Sequence, residues 1–240
     1  DADEVWLFEQ YHGYHWAAAR VPDDCFVVEA NSFRLAEINP DAPDNYMCAP
    51  DLIPFAVKHG LWDPKSGKPF HASRAYATNA LSRPRGAKGE YPQKYYSLHR
   101  VWRGNMLLKP SANLDPYEPT EEYPLFMQPD KKLTLADIFN VLKDTYGSTV
   151  VDEYGAQDDK FKTMIDPISG HYRLSPAWGK NRVIGCPQTV TSWATQCRKW
   201  LPDPIGGVLW AGLAAAVSGP HVPFYACNRR TPKAYQIGTA

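Results

Sequence analysis

The chain has 240 residues, of which 44% are hydrophobic, 13% aromatic and 22% charged, a balance that excludes a disordered polymer. The 26 Lys plus Arg match the 26 Asp plus Glu, so zero net charge gives no electrostatic basis for binding nucleic acid or an acidic membrane surface. The longest apolar run, Leu209 to Val217, is broken by Gly212 and falls far short of the roughly 20 residues that a membrane-spanning helix needs.

The chain opens Asp1-Ala2-Asp3-Glu4 and enters the apolar run Val5-Trp6-Leu7-Phe8 at once, with no initiator Met. It reads as a polypeptide entered in the middle of a sheet. Strands are expected over Val5–Gln10, His15–Arg20 and Phe26–Asn31, with Arg34–Ile38 continuing after a break; Pro22-Asp23-Asp24 supplies turn chemistry between two of them. Residues 39–49 are polar and Pro-rich, hence a loop. Asp51–His59 follows as a short helix with Leu52, Phe55 and Ala56 on one side and Gly60 as a stop. No long periodic segment occupies 61–93, and 82–89 is a basic, glycine-rich surface loop. Tyr95–Leu107 is expected to be a helix carrying Leu98, Val101, Trp102 and Met106, and 109–132 a loop. The clearest helix signal is Thr134–Tyr146. Thr134 is its N-cap, Asp137 the acidic partner, and Gly147 the stop, with Leu135, Ile138, Leu142 and Tyr146 at helical spacing. An irregular region covers 152–181. Short strands then return at Thr189–Trp200, Val208–Gly212, His221–Cys227 and Ala234–Ile237. Strands, then helices, then strands argue for an α+β fold with mainly antiparallel pairing.

Chemistry is less legible. The 5 cysteines (25, 48, 186, 197 and 227) are widely spaced and odd in number, with no C-x-x-C pair. They read as buried thiols, with one disulfide open if the protein is secreted. His12 and His15 stand three apart beside Gly13, in a context that argues against a helix and against a metal site. No G-x-S-x-G elbow and no phosphate-cradling glycine loop is present. The abundant Trp and Tyr raise a sugar-binding module, although core packing accounts for those aromatics better.

A resemblance carries the reading further. The segment Arg198-Lys199-Trp200-Leu201-Pro202-Asp203-Pro204-Ile205-Gly206-Gly207-Val208-Leu209-Trp210 resembles a C-terminal signature of the C69 dipeptidase family, and 221–226 resembles its following strand. Glu4-Val5-Trp6-Leu7-Phe8-Glu9, residues 16–24, Ala30-Asn31-Ser32-Phe33-Arg34 and the run from Tyr96 to Trp102 match in the same order. The likeness spans nearly the whole chain and is weakest over 150–185.

The resemblance implies an αββα sandwich of two antiparallel sheets, here the later part (1–240) of a single domain lacking its N-terminal strands. It implies a cysteine amidohydrolase that cleaves short peptides. The Cys that attacks is the first residue of the mature chain, and its own α-amine is the base. No cofactor and no metal are implied. Residue 1 here is Asp, so the nucleophile is expected on a missing N-terminal segment or a complementary chain, with this chain alone inactive and stable only beside that partner or in an oligomer. Asn31 is expected to be an oxyanion donor or a partner of the α-amine. Arg100 is expected to orient the thiolate or hold a substrate carboxylate. Trp16 and Arg34 are weaker expectations for substrate binding. Arg20 is expected in a salt bridge with Asp23 or Asp24. The alternative is a non-catalytic structural or interaction protein that keeps the same fold.

Overall fold

The structure is a computed structural model that describes residues 4–11, 13–76, 93–116, 120, 122–147, 183–186 and 189–236. His12, loop 82–89 and the irregular region 152–181 lie outside these residues. The first elements in chain order are β1 (Val5–Gln10), β2 (Trp16–Val21), β3 (Phe26–Val27), β4 (Tyr46–Cys48), α1 (Leu52–Lys58), α2 (Ala72–Tyr76) and α3 (Gln93–Leu108). They are followed by β5 (Phe126–Met127), α4 (Leu135–Lys143), β6 (Thr191–Cys197), α5 (Asp203–Gly206), β7 (Gly207–Leu213) and β8 (Val222–Tyr225). The class is α+β. Among the described residues every strand pair is antiparallel, and the strands fall into sheets of order β1-β2-β4, β3-β5 and β6-β7-β8.

β1 and β2 form a hairpin that places Val5 opposite Val21 and Gln10 opposite Trp16. Gly13, at φ 62°, makes the left-handed turn that costs glycine least. Side chains alternate across a strand, so Leu7 and Glu9 point inward together with Ala17 and Ala19. That face packs on Leu52 and Ala56 of α1, on Ala72 and Ala75 of α2, and on Leu35, Ile38 and Phe70 between them. A second cluster surrounds α3: Leu98, Val101, Trp102, Tyr123 and Tyr146. A third joins Phe26, Leu108 and Met127. In the C-terminal sheet, α4 lies against one face through Phe139, which contacts Trp210 edge-on at 6.1 Å and stacks on His221 at 4.5 Å.

Several expectations are corrected. The strand expected over Phe26–Asn31 ends at Val27, and Arg34–Ile38 is extended chain rather than strand. The reason is that the N–H groups of Arg34 and Leu35 bond a buried carboxylate instead of a neighbouring strand. β4 lies inside the expected loop 39–49, where Ala17, Ala18 and Ala19 of β2 offer it a pairing edge. Helix α4 keeps the expected capping box, with Thr134 N–H donating to Asp137 Oδ2 at 2.8 Å. It ends at Lys143 rather than Tyr146, because Asp144 is extended and Tyr146 is left-handed at φ 65°. Residues 233–235 form a 3₁₀ turn after Pro232, not a strand. All five thiols are unbridged; Cys186 is buried, whereas Cys197 and Cys227 are exposed.

Candidate active site

Helix α3 positions the site. Ser97, Arg100, Gly104 and Leu108 recur at spacings that share one face of a helix. That face runs antiparallel along residues 26–31. Leu108 packs with Phe26. Gly104 sits so close to Val28 that a Cβ there would lie 2.7 Å from Val28 Cγ1. Ser97 Oγ donates to the Asn31 carbonyl at 2.9 Å, and Arg100 Nη2 donates to Asn31 Oδ1 at 2.9 Å. The residue expected to donate to an oxyanion and the residue expected to orient charge therefore meet, across 69 positions of sequence.

A salt bridge lies near Arg100 on the same helix. Arg103, one turn on, makes a bidentate ion pair with Asp144 through Nε at 2.9 Å and Nη2 at 2.8 Å. Asp144 Oδ1 also accepts the Tyr146 N–H at 2.9 Å. Tyr146 is 2% exposed, and burial pushes its hydroxyl well above the ordinary phenol range, while the charges of Arg100 and Arg103 pull the other way.

A second polar knot gathers the N–H groups just after Asn31. Glu9 is 3% exposed. Its Oε1 accepts the N–H of Arg34 at 2.5 Å and of Leu35 at 3.0 Å, and its Oε2 accepts the Tyr11 hydroxyl at 3.1 Å. Loss of hydration raises the Glu9 carboxyl above its usual range, and those three donors hold the rise down.

The other two expected site residues stand elsewhere. The Arg34 guanidinium is buried and donates to the carbonyls of Tyr123 at 2.8 Å and Pro124 at 3.3 Å, a link between two segments of chain. Trp16 stacks on Phe8 at 5.5 Å and lines a hollow of about 520 Å³ with Pro43, Tyr46, Met47 and Ile53; neither Asn31 nor Arg100 borders it. The expected Arg20 salt bridge forms with Asp23 at 2.8 Å and with Glu4 at 3.4 Å. Among the described residues, no three of His, Cys, Asp and Glu gather where a metal ion could sit. Sequence reasoning missed Glu9, Ser97, Gly104 and Tyr146. The inward register that Glu9 shares with Leu7 is the one signal that could have exposed it.

The profile of peptidase family C69 matches residues 1–240, and the chain belongs to that family. Among similar proteins, a probable dipeptidase of Latilactobacillus sakei is 28% identical over 236 residues, covering 98% of this chain and 44% of that protein. A probable dipeptidase of Salmonella dublin is 30% identical over 226 residues, covering 94% of this chain and 45% of that protein. A dipeptidase A of Lactobacillus helveticus is 23% identical over 238 residues, covering 98% and 44%. The chain thus spans less than half the length of these relatives.

Proposed function

We propose that the chain supplies the Asn31–Arg100 portion of a cysteine dipeptidase whose attacking thiol lies on a segment outside these 240 residues. The observation that carries this reading is the 2.9 Å contact between Arg100 Nη2 and Asn31 Oδ1 in a chain of the C69 family. A guanidinium can only donate, so it must meet the oxygen of the Asn31 amide. That fixes the orientation of the amide and leaves its NH₂ as the group Asn31 can offer a developing oxyanion. In the reaction, an N-terminal Cys gives its thiol proton to its own α-amine, and the sulfur attacks the peptide carbonyl. The protonated amine then delivers the proton to the leaving amine, and water hydrolyses the thioester to release the acid.

Two apolar sheet faces support a companion segment and a layered αββα assembly. Phe8 and Met47 flank Ala18 and are 56% and 44% exposed; Trp193, Leu209 and Leu213 are 61%, 39% and 52% exposed on one face of β6 and β7. The test is dipeptide hydrolysis by the intact protein carrying Asn31→Ala. Loss of an oxyanion donor lowers kcat by about 10²–10³-fold. Full activity in that variant would overturn the role of Asn31. Thiol-dependent turnover by residues 1–240 alone would overturn the placement of the nucleophile.

A further inference from the structure

Asn31 is exposed, and an exposed amide fixed through its side chain alone would share its time among several rotamers. The structure grips Asn31 at a second point. Ser97 is fully buried at 0% exposure, and its Oγ donates to the Asn31 carbonyl at 2.9 Å. One helical turn later, Arg100 Nη2 meets the Asn31 side chain. A helical serine commonly turns its hydroxyl to solvent or back to the carbonyl four residues before it. Here the hydroxyl leaves the helix for a segment 66 positions away in sequence.

Helix α3 also sets the height at which the two segments meet. Leu108 packs with Phe26, Gly104 faces Val28, and Ser97 and Arg100 reach Asn31. A helix rises about 16 Å from residue 97 to residue 108, and a strand-like chain from 26 to 31 reaches about as far. Of the four residues on that face, Gly104 is the one without a Cβ, and a Cβ there would stand 2.7 Å from Val28 Cγ1. A slip by one turn would set Arg100 or Leu108 against Val28 instead. Gly104 therefore sets the register, and Ser97 fastens the end of the segment that carries the amide.

We propose that Ser97 is the positioning residue for Asn31: its buried hydroxyl pins the Asn31 backbone so that Arg100 meets Oδ1 and the amide NH₂ stays aimed at the oxyanion. Its bearing on catalysis rests on the dipeptidase reading, while the pinned amide does not. The two bonds to Asn31 divide the work. The Ser97 bond fixes where the backbone stands, and the Arg100 bond fixes which way the side chain turns. Burial of Ser97 shields the first from water, whereas water competes for the second at the surface. Without the Ser97 hydroxyl the Asn31 carbonyl loses this donor, and the amide gains the freedom that its exposure allows. A reacting group displaced by about 1 Å can cost on the order of 100-fold in rate.

The experiment is a double-mutant cycle on the intact protein, read by steady-state dipeptide hydrolysis. Ser97→Ala should lower kcat by about tenfold or more with KM unchanged, because substrate still binds while the donor is misplaced. Combined with Arg100→Lys, it should cost little more than either change alone, since both act on one amide. Ser97→Cys nearly fills the same space and donates weakly, so it should lose an intermediate amount. It carries the same comparison if the alanine variant does not fold. Isotopic labelling of the asparagine amides, read by NMR, follows the group itself, with the Asn31 signal assigned by its absence from Asn31→Ala. That side-chain amide should be rigid in the wild type and mobile in the Ser97 variant. Wild-type kcat in the folded Ser97 variant, losses that simply multiply in the double variant, or an amide of unchanged mobility would each sink the proposal. An amide loosened by the Ser97 change, in a protein that hydrolyses no dipeptide, would defeat the dipeptidase reading and spare the clamp. Turnover abolished by Asn31→Ala but untouched by the Ser97 change would do the reverse.

Discussion

At the scale of single residues, Arg100 and Asn31 depend on each other for orientation. An amide has two chemically different ends, and only a fixed donor on one side decides which end is presented. A lysine in place of Arg100 would keep the charge but lose the planar fork that reaches Asn31 Oδ1. Arg100→Lys should therefore lower kcat of the intact protein by about tenfold or more while the fold persists. Steady-state kinetics with circular dichroism as the control checks this, and unchanged kcat would show that the contact is merely structural. Glu9 shows what local reading cannot reach. Its place on the inward side of β1, beside Leu7, is visible in the alternation of the strand. Its partners come from 25 and 26 residues away, outside any window in which periodicity operates. Without knowledge of those donors, an acidic residue at an inward position looks like an error of register rather than an anchor.

At the scale of elements, the approach of α3 to residues 26–31 hinges on the missing side chain of Gly104. Gly104→Ala forces a Cβ to 2.7 Å from Val28 Cγ1. Overpacking of this kind costs about 1–3 kcal/mol. Denaturant unfolding should show the loss, and Val28→Ala in the same chain should recover much of it by opening the space. An unimproved double variant would contradict the packing account. Helix α4 tests a local rule: its capping box makes Thr134→Ala worth about 1 kcal/mol of destabilisation. That helix was readable because everything that starts it lies within four residues. Its end was not, because Asp144 leaves the helix to meet Arg103, which is distant in sequence. β4 escaped the same way: the prolines around it mark a loop, and the pairing edge of β2 makes three of its residues a strand.

At the scale of the molecule, class and antiparallel pairing were legible from the order of elements, and family likeness singled out Asn31 and Arg100, two residues that meet in the fold. The division into short sheets was not, since which strand pairs with which is decided by contacts far apart in the chain. The same scale holds the exposed Trp193 and Leu213. Trp193→Ser with Leu213→Ser should reduce self-association of residues 1–240, as read by sedimentation velocity, because an uncovered apolar face seeks a partner. A wild-type chain that sediments as a monomer at high concentration would remove the reason to expect one.

The bidentate clasp between Arg103 and Asp144 has a mechanical consequence. It fastens the end of α4 to the middle of α3, while α4 also rests on β6 and, through Phe139, on β7. α3 is thereby the spar to which the C-terminal sheet is lashed, and Arg100 sits one turn from the knot. A tilt of that sheet would load α3 one turn from Arg100, whose guanidinium meets Asn31 Oδ1.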